Sequence, residues 1–309
     1  MSDEFKKVEG SEIVTPISNP IANSNSSNSM PQSESEEVKL DPNEIEVTIA
    51  DSSPIVVLFG ARTSGKTMTL VRLTRYLRSL NYQVKPDPIF RSSADPHYEQ
   101  LCKDFDKMVT TNRFSSEGTA VISFMLVKVL EDGVPVCQIL EAPGEHYFDA
   151  DDPNRKFPPY IQEIKAKSNV KIWVFIVEQD WKKDQSVRDL YAEKIKKAEG
   201  QLLNKKDKII FTCHKADQFP ELIPYGVPNV KQFFKNIKGQ YPGIFDKYKN
   251  KNPITSLFRE FNFDFVVFSA GTFAKRQNDG GLTFTPGDDK FPAMLWNAIL
   301  KAIKGGFWF

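Results

Sequence analysis

The chain has 309 residues, enough for one large domain or two small ones, and 40% hydrophobic with 26% charged residues describes a globular protein with a core to bury. Its 41 basic and 40 acidic residues leave a net charge of +1, which excludes a global field that would draw nucleic acid or an anionic membrane. No apolar run approaches the ~18 residues of a membrane-spanning helix. Met1-Ser2-Asp3-Glu4-Phe5-Lys6 lacks the basic region and apolar stretch of a secretory signal. Cys102, Cys137 and Cys213 make neither a metal spacing nor a disulfide framework, so a reducing cytoplasmic compartment is expected.

Residues 1–45 are rich in Ser, Asn, Glu and Pro and carry too little apolar surface to offset ordering entropy. They are expected to form a disordered tail, read as a solvated leader with a tether or partner-binding arm as the alternative. Ile55 to Phe59 is then a short β-branched run of buried-strand type, and it stops at Gly60. Gly60-Ala61-Arg62-Thr63-Ser64-Gly65-Lys66-Thr67 follows, with a helical pattern from Met68 to Leu80 behind it. This is the strand, G-x-x-x-x-G-K-[ST] loop and helix of a phosphate-binding P-loop. The glycines let backbone N–H groups turn inward toward phosphate oxygens and the helix adds its positive end. Lys66 is placed to reach the β- and γ-phosphates, and the Thr67 hydroxyl to ligate Mg²⁺. In the helix, Leu70, Leu73, Leu77 and Leu80 fall near one face and Arg72, Arg75 and Arg78 largely elsewhere, a pattern for packing on a sheet.

Asn81 to Gly118 is less periodic, with a helical candidate at Tyr98–Met108 and polar segments at Arg91-Ser92-Ser93 and Thr110–Ser116. Thr119–Val129 and Val134–Leu140 read as strands, and Asp132-Gly133 between them marks a hairpin. The second ends in Glu141-Ala142-Pro143-Gly144-Glu145. A helix at Ile161–Ala166, a buried strand at Lys171–Val177, a charged helix at Val187–Leu203 and a strand at Lys208–Thr212 follow, the last running into His214-Lys215-Ala216-Asp217. Residues 218–262 are expected to form a helical insertion, with candidates at Val230–Lys238 and Ile254–Phe261, capping a base site. Phe263–Phe268 is the last strand and leads to Ser269-Ala270-Gly271. A polar loop with Gly280-Gly281 precedes a helix at Ala293–Ile303, and Gly305–Phe309 is an aromatic tail. That tail is read as folding back on its own domain, with insertion into a partner's groove as the alternative. Alternating strands and helices with one early hairpin predict a three-layer α/β P-loop NTPase whose sheet is mostly parallel with one antiparallel strand.

Four boxes in this order resemble the Ras-like small GTPases of the translation-factor-related P-loop GTPase class, over the span from about Glu46 to Lys304. The first is Gly60–Thr67. The second, Glu141-Ala142-Pro143-Gly144, is similar to the family's D-x-x-G, which binds Mg²⁺ through water and senses the γ-phosphate with the glycine amide; Glu stands here in place of Asp. The third, His214-Lys215-Ala216-Asp217, is similar to N-K-x-D. Its aspartate accepts from the guanine N1–H and N2–H₂, which adenine cannot supply, and its lysine stem lies over the base. The fourth, Ser269-Ala270-Gly271, is similar to the box whose backbone N–H meets guanine O6. Thr119, 22 residues upstream of Glu141, best matches the switch threonine that ligates Mg²⁺, with Thr110 and Thr111 as competitors.

The resemblance implies GTP/GDP and Mg²⁺ as cofactors, with Thr67, Thr119 and Glu141 as metal ligands. It implies a switch function with a protein effector at the switch segments, and Glu145, His146 and Arg62 as candidates for orienting water or neutralising phosphate charge. A nucleotide-holding scaffold without turnover, and an ATP-using P-loop NTPase or kinase, are the alternatives. Aromatics interleaved with lysines between 218 and 262 could stack nucleic-acid bases, but helical spacing and overall neutrality assign them to a core.

Overall fold

The computed structural model describes residues 41, 43–91, 95–114, 124–181, 184–257, 259–278 and 281–305. The chain divides into Met1–Lys39, outside the described residues, and Leu40–Phe309. Residues 1–40 and 42 of the expected disordered tail, Thr119 and the aromatic Phe307-Trp308-Phe309 therefore lie outside the described residues.

The β-branched run forms β1 (Ile55–Phe59), whose five residues are all buried. The loop leads into α1 (Lys66–Ser79), then β2 (Gln83–Pro86), α2 (Pro96–Thr110) and β3 (Arg113–Phe114). The hairpin is β4 (Met125–Glu131) and β5 (Val134–Glu141), with Asp132 and Gly133 both at positive φ. After it come α3 (Pro159–Ala166), β6 (Lys171–Glu178), α4 (Gln185–Gln201), β7 (Lys208–His214), α5 (Val230–Gln240) and β8 (Asp264–Val267). A second hairpin, β9 (Gly271–Lys275) and β10 (Leu282–Pro286), precedes α6 (Lys290–Lys304).

The main sheet has seven strands in the order β2-β4-β5-β1-β6-β7-β8. Strand β4 pairs antiparallel with both β2 and β5; the pairings of β5, β1, β6, β7 and β8 are parallel. The expected mostly parallel sheet with one antiparallel strand is what forms. Chain order reverses direction across the sheet at β1. Crossovers between parallel strands are right-handed as a rule, and ligands of such sheets sit at the carboxyl ends of the strands beside that reversal.

Three elements differ from expectation. Strand β2 is short and polar at alternate positions, so it carried little apolar signal. The stretch after Gly271, expected as loop, is the β9–β10 hairpin, which pairs with β3 in a separate three-stranded antiparallel sheet. Its β-prone alternation (Thr272-Phe273, Leu282-Thr283-Phe284-Thr285) was outweighed by the glycines at its turn. The expected helix at Ile254–Phe261 is a single tight turn at Thr255–Leu257. Asn252 Oδ1 accepts the Ile254 N–H there, a local turn that competes with helix, and Ile254 and Leu257 stay exposed instead of marking a buried face.

The insertion's aromatics join the main core. Phe211 of β7 packs edge-on against Phe245, Tyr248 and Phe263 at 4.7–5.5 Å between centroids. Phe234 stacks on Phe245 at 4.9 Å. These rings face the sheet, as the core reading of the interleaved aromatics expected.

The arginines of α1 fasten it to its neighbours. Arg75 donates to the carbonyls of Met108 and Thr111 and to the Asn112 side chain, and Arg78 to the Val84 carbonyl. Buried Arg72 donates to the Gly287 carbonyl (2.7 Å) and pairs with Asp289 at the start of α6. Asp289 is mostly exposed, so the pair itself counts for little, but the Gly287 carbonyl loses its donor if the guanidinium goes. Arg72→Ala is expected to destabilise the fold by about 2 kcal/mol in urea unfolding. A loss within about 0.5 kcal/mol, the surface-substitution range, would show that α6 is held by its apolar face alone.

Candidate functional site

The carboxyl ends of β1, β5, β6, β7 and β8 share one edge of the sheet, and all four boxes emerge there. Gly60 leaves β1 in so tight a curl that an added Cβ would lie 2.5 Å from Ser64 Oγ and 3.1 Å from Ile176 Cβ. Thr63 takes φ 62°, an uncommon conformation for a β-branched residue, and Gly65 takes φ 90° before α1 begins. Helix α1 has no side-chain N-cap and no acidic residue in its first turn, so its leading N–H groups keep their positive end for an anion. Ser64 Oγ is buried with no hydrogen-bond partner, an orphan at the same curl.

Lys66 is buried and donates to the carbonyls of Gly60 (3.1 Å) and Ala61 (3.0 Å). Burial lowers its pKa, opposed by Glu141, Glu145 and Glu178. These features fit a polyphosphate: an uncapped helix start, one buried lysine and an unsatisfied hydroxyl.

Thr67 Oγ1 donates to Glu141 Oε1 at 3.0 Å, and the other carboxylate oxygen accepts the Phe124 N–H at 3.2 Å. Burial pushes the Glu141 carboxyl up, against the pull of Lys66, Thr67 and Phe124. A hydroxyl and a carboxylate are the hard oxygen donors that Mg²⁺ takes beside phosphate and water, so this pair fits the ion. Among the described residues no group of three or more His, Cys, Asp or Glu side chains could hold a metal alone.

Pro143-Gly144 packs directly on the phosphate loop: a Cβ on Gly144 would lie 2.2 Å from Arg62 N and 2.4 Å from the Ala61 carbonyl carbon. Glu145 follows and pairs with exposed Arg62 at 3.4 Å. His146 turns the other way, its Nδ1 2.8 Å from the Tyr160 hydroxyl and its ring against Phe124 and Tyr160. Burial lowers its pKa to about 4, so it is neutral at pH 7. The structure thus brings Glu145 and Arg62 together over the loop and engages His146 with Tyr160.

His214 closes β7 beneath the loop. Its Nδ1 lies 3.1 Å from the Ser64 carbonyl, which can only accept, so the proton sits on Nδ1. Burial drives its pKa to about 3 and Phe268 stacks on the ring at 5.0 Å. The neutral imidazole ties the phosphate loop to the end of β7, three residues before Asp217. Asp217 Oδ1 accepts from Ser269 Oγ at 2.6 Å, joining the third box to the fourth. Ala216 N–H donates to Phe268 O at 3.2 Å, and Gly287 N–H donates to the Ala270 carbonyl at 3.0 Å. Gly271, at φ 129°, starts β9 so close to β10 that a Cβ would lie 2.2 Å from the Thr285 carbonyl oxygen.

Sequence reasoning missed two residues here. Phe124, a bulky residue at φ 79°, supplies the N–H that the second Glu141 oxygen accepts, and no pattern announces it. Glu178 ends the apolar β6 with a buried carboxylate paired to Lys215; an acidic residue closing a buried strand was the available signal.

No family model matches the chain, and no curated protein matches it. Among solved structures, a Plasmodium falciparum nucleolar GTP-binding protein 1 overlays with TM-score 0.41 at 15% identity, covering 84% of this chain and 91% of that one. GDP-bound Methanosarcina barkeri Roco2 RocCORdC overlays with TM-score 0.29 at 12% identity, covering 74% of this chain and 45% of that one. The Saccharomyces cerevisiae Ski7 GTPase-like domain, bound to GDP and inorganic phosphate, overlays with TM-score 0.29 at 15% identity, covering 71% and 43%. At these values the functional reading belongs to the residues of the chain itself.

Proposed function

We propose that this chain binds guanine nucleotide with Mg²⁺ and works as a GTPase molecular switch. The observation that carries the reading is the shared edge: a phosphate loop with its buried lysine, the Thr67–Glu141 pair and the Asp217–Ser269 pair stand at the ends of adjacent strands. Asp217 keeps lone pairs beyond the one used by Ser269, and two guanine N–H groups complement them. Gly60 through Thr67 holds the phosphates. Thr67 and Glu141 would hold Mg²⁺, which would supply charge neutralisation for the phosphates. The turn at Gly144 and the segment holding Thr119 are the proposed switches, and their surface the effector site.

Charge makes the metal necessary in this reading. Lys66, Arg62 and Lys215 are matched by Glu141, Glu145 and Glu178, and Asp217 adds a further carboxylate, so the side chains carry no net positive charge before a polyphosphate arrives. A bare diphosphate would add uncompensated negative charge beside three carboxylates; its Mg²⁺ complex would not. Calorimetric titration is expected to show GDP binding in Mg²⁺, at least about tenfold weaker binding in EDTA, and little affinity for ADP. Tight ADP binding would move the assignment to an ATP-using P-loop protein.

A second reading, a nucleotide-holding scaffold without turnover, is favoured by the engagement of Glu145 with Arg62 and of His146 with Tyr160. Phosphate release in a single-turnover assay separates it from the switch.

A further inference from the structure

Beside the site stands a buried ionisable group that the phosphate, metal and base contacts above leave unused: Glu178. It closes β6 and stands in register with His214 of β7, between the phosphate loop and the base box. Its side chain is 7% exposed and lines a small cavity with Ala61, Ser64 and Tyr241. The backbone there is pinned, because the Tyr241 hydroxyl donates to the Glu178 carbonyl at 2.9 Å and the Tyr191 hydroxyl to the Ile176 carbonyl at 2.7 Å.

The carboxylate takes the Lys215 ammonium. Lys215 sits at φ 58°, ψ 36°, a left-handed turn that lets the side chain of the third box return to the end of β6. Its side chain remains 37% exposed although the ammonium is tethered, so part of the lysine stays open to a ligand. A free lysine would sample many rotamers; this one is fixed at its tip.

We propose that Glu178 is a positioning residue for the base: by anchoring the Lys215 ammonium it holds the lysine stem in place as the platform on which a purine lies. The inference rests on the guanine-nucleotide reading above. A purely structural ion pair, present only because a buried carboxylate needs a cation, predicts a different pattern of binding.

The test is calorimetric titration of the full chain with GDP and with inorganic pyrophosphate, both in Mg²⁺. Glu178→Gln is expected to weaken GDP about tenfold and pyrophosphate less than twofold, since only the base meets the platform. Lys215→Ala should lose a similar factor on GDP, and the double variant no more than either single one. Wild-type affinity for GDP in Glu178→Gln overturns the assignment, as does equal weakening of GDP and pyrophosphate, which would place the effect on Lys66. Should Glu178→Gln fail to fold, Lys215→Ala decides alone: unchanged GDP binding overturns the proposal. A wild-type chain that binds pyrophosphate but not GDP overturns the guanine reading itself, and the role of Glu178 with it.

Discussion

Asp217→Asn is expected to convert guanine recognition into xanthine recognition, with GDP affinity falling at least about a hundredfold. The carboxylate is acceptor-only and, in the proposed reading, would be complemented by the N1–H and N2–H₂ of guanine. An amide in its place puts NH₂ against the guanine 2-amino group, donor against donor, and leaves buried polar groups unpaired. Xanthine carries a carbonyl at that carbon, which accepts from the amide instead. The Ser269 hydroxyl, now 2.6 Å from Asp217 Oδ1, can donate equally to an amide oxygen, so the side chain should keep its place. Competition of XDP and GDP for the variant measures the effect. Retained guanine preference would mean that Asp217 does not read the base.

Gly144→Ala should be a damaging single-methyl change at the phosphate loop. Its Cβ would stand 2.2 Å from Arg62 N and 2.5 Å from Arg62 Cα, and both are backbone, so no side chain can swing away. Either the loop or the turn must move, at a cost of about 1–3 kcal/mol of stability by comparison with overpacked cores. The turn is the freer partner: it continues into a single tight turn, Gly144–His146, and its ion pair to Arg62 is exposed. Displacing it separates Glu145 from Arg62 but leaves Lys66, Asp217 and Ser269 untouched. GDP affinity is therefore expected to change less than about threefold, while single-turnover phosphate release falls by about a hundredfold. Release at the wild-type rate would show that the turn leaves the loop before chemistry.

What could be read in the residues depended on how locally each feature is determined. Gly60, Gly65 and Lys66 announce themselves because the loop's conformation demands glycines at fixed offsets after a strand. His214, Asp217 and Ser269 follow apolar strands, and strand ends are legible. The pairing of Glu178 with Lys215 was not, because it depends on the β6–β7 register, which brings residue 178 level with 214. Phe124 contributes through its backbone, where side-chain identity says nothing. The chain order beside Gly144 suggested that His146 would face the phosphate loop with Glu145, yet its ring nitrogen is taken by Tyr160, 14 residues further on. The arginines of α1 were legible as lying off the leucine face, but not as the fasteners of three neighbouring segments.

The small β3–β10–β9 sheet has a consequence for the order of assembly. Its ladder joins Phe114 to Leu282 with roughly 170 residues of chain between them, a closure whose entropy two paired positions cannot offset alone. It becomes favourable only after the large sheet has brought the ends of α2 and β8 within reach. The flank that joins the base box to the chain leaving α2 is therefore among the last parts to form. By the same thermodynamics it is among the first to open, at a free energy below that of global unfolding.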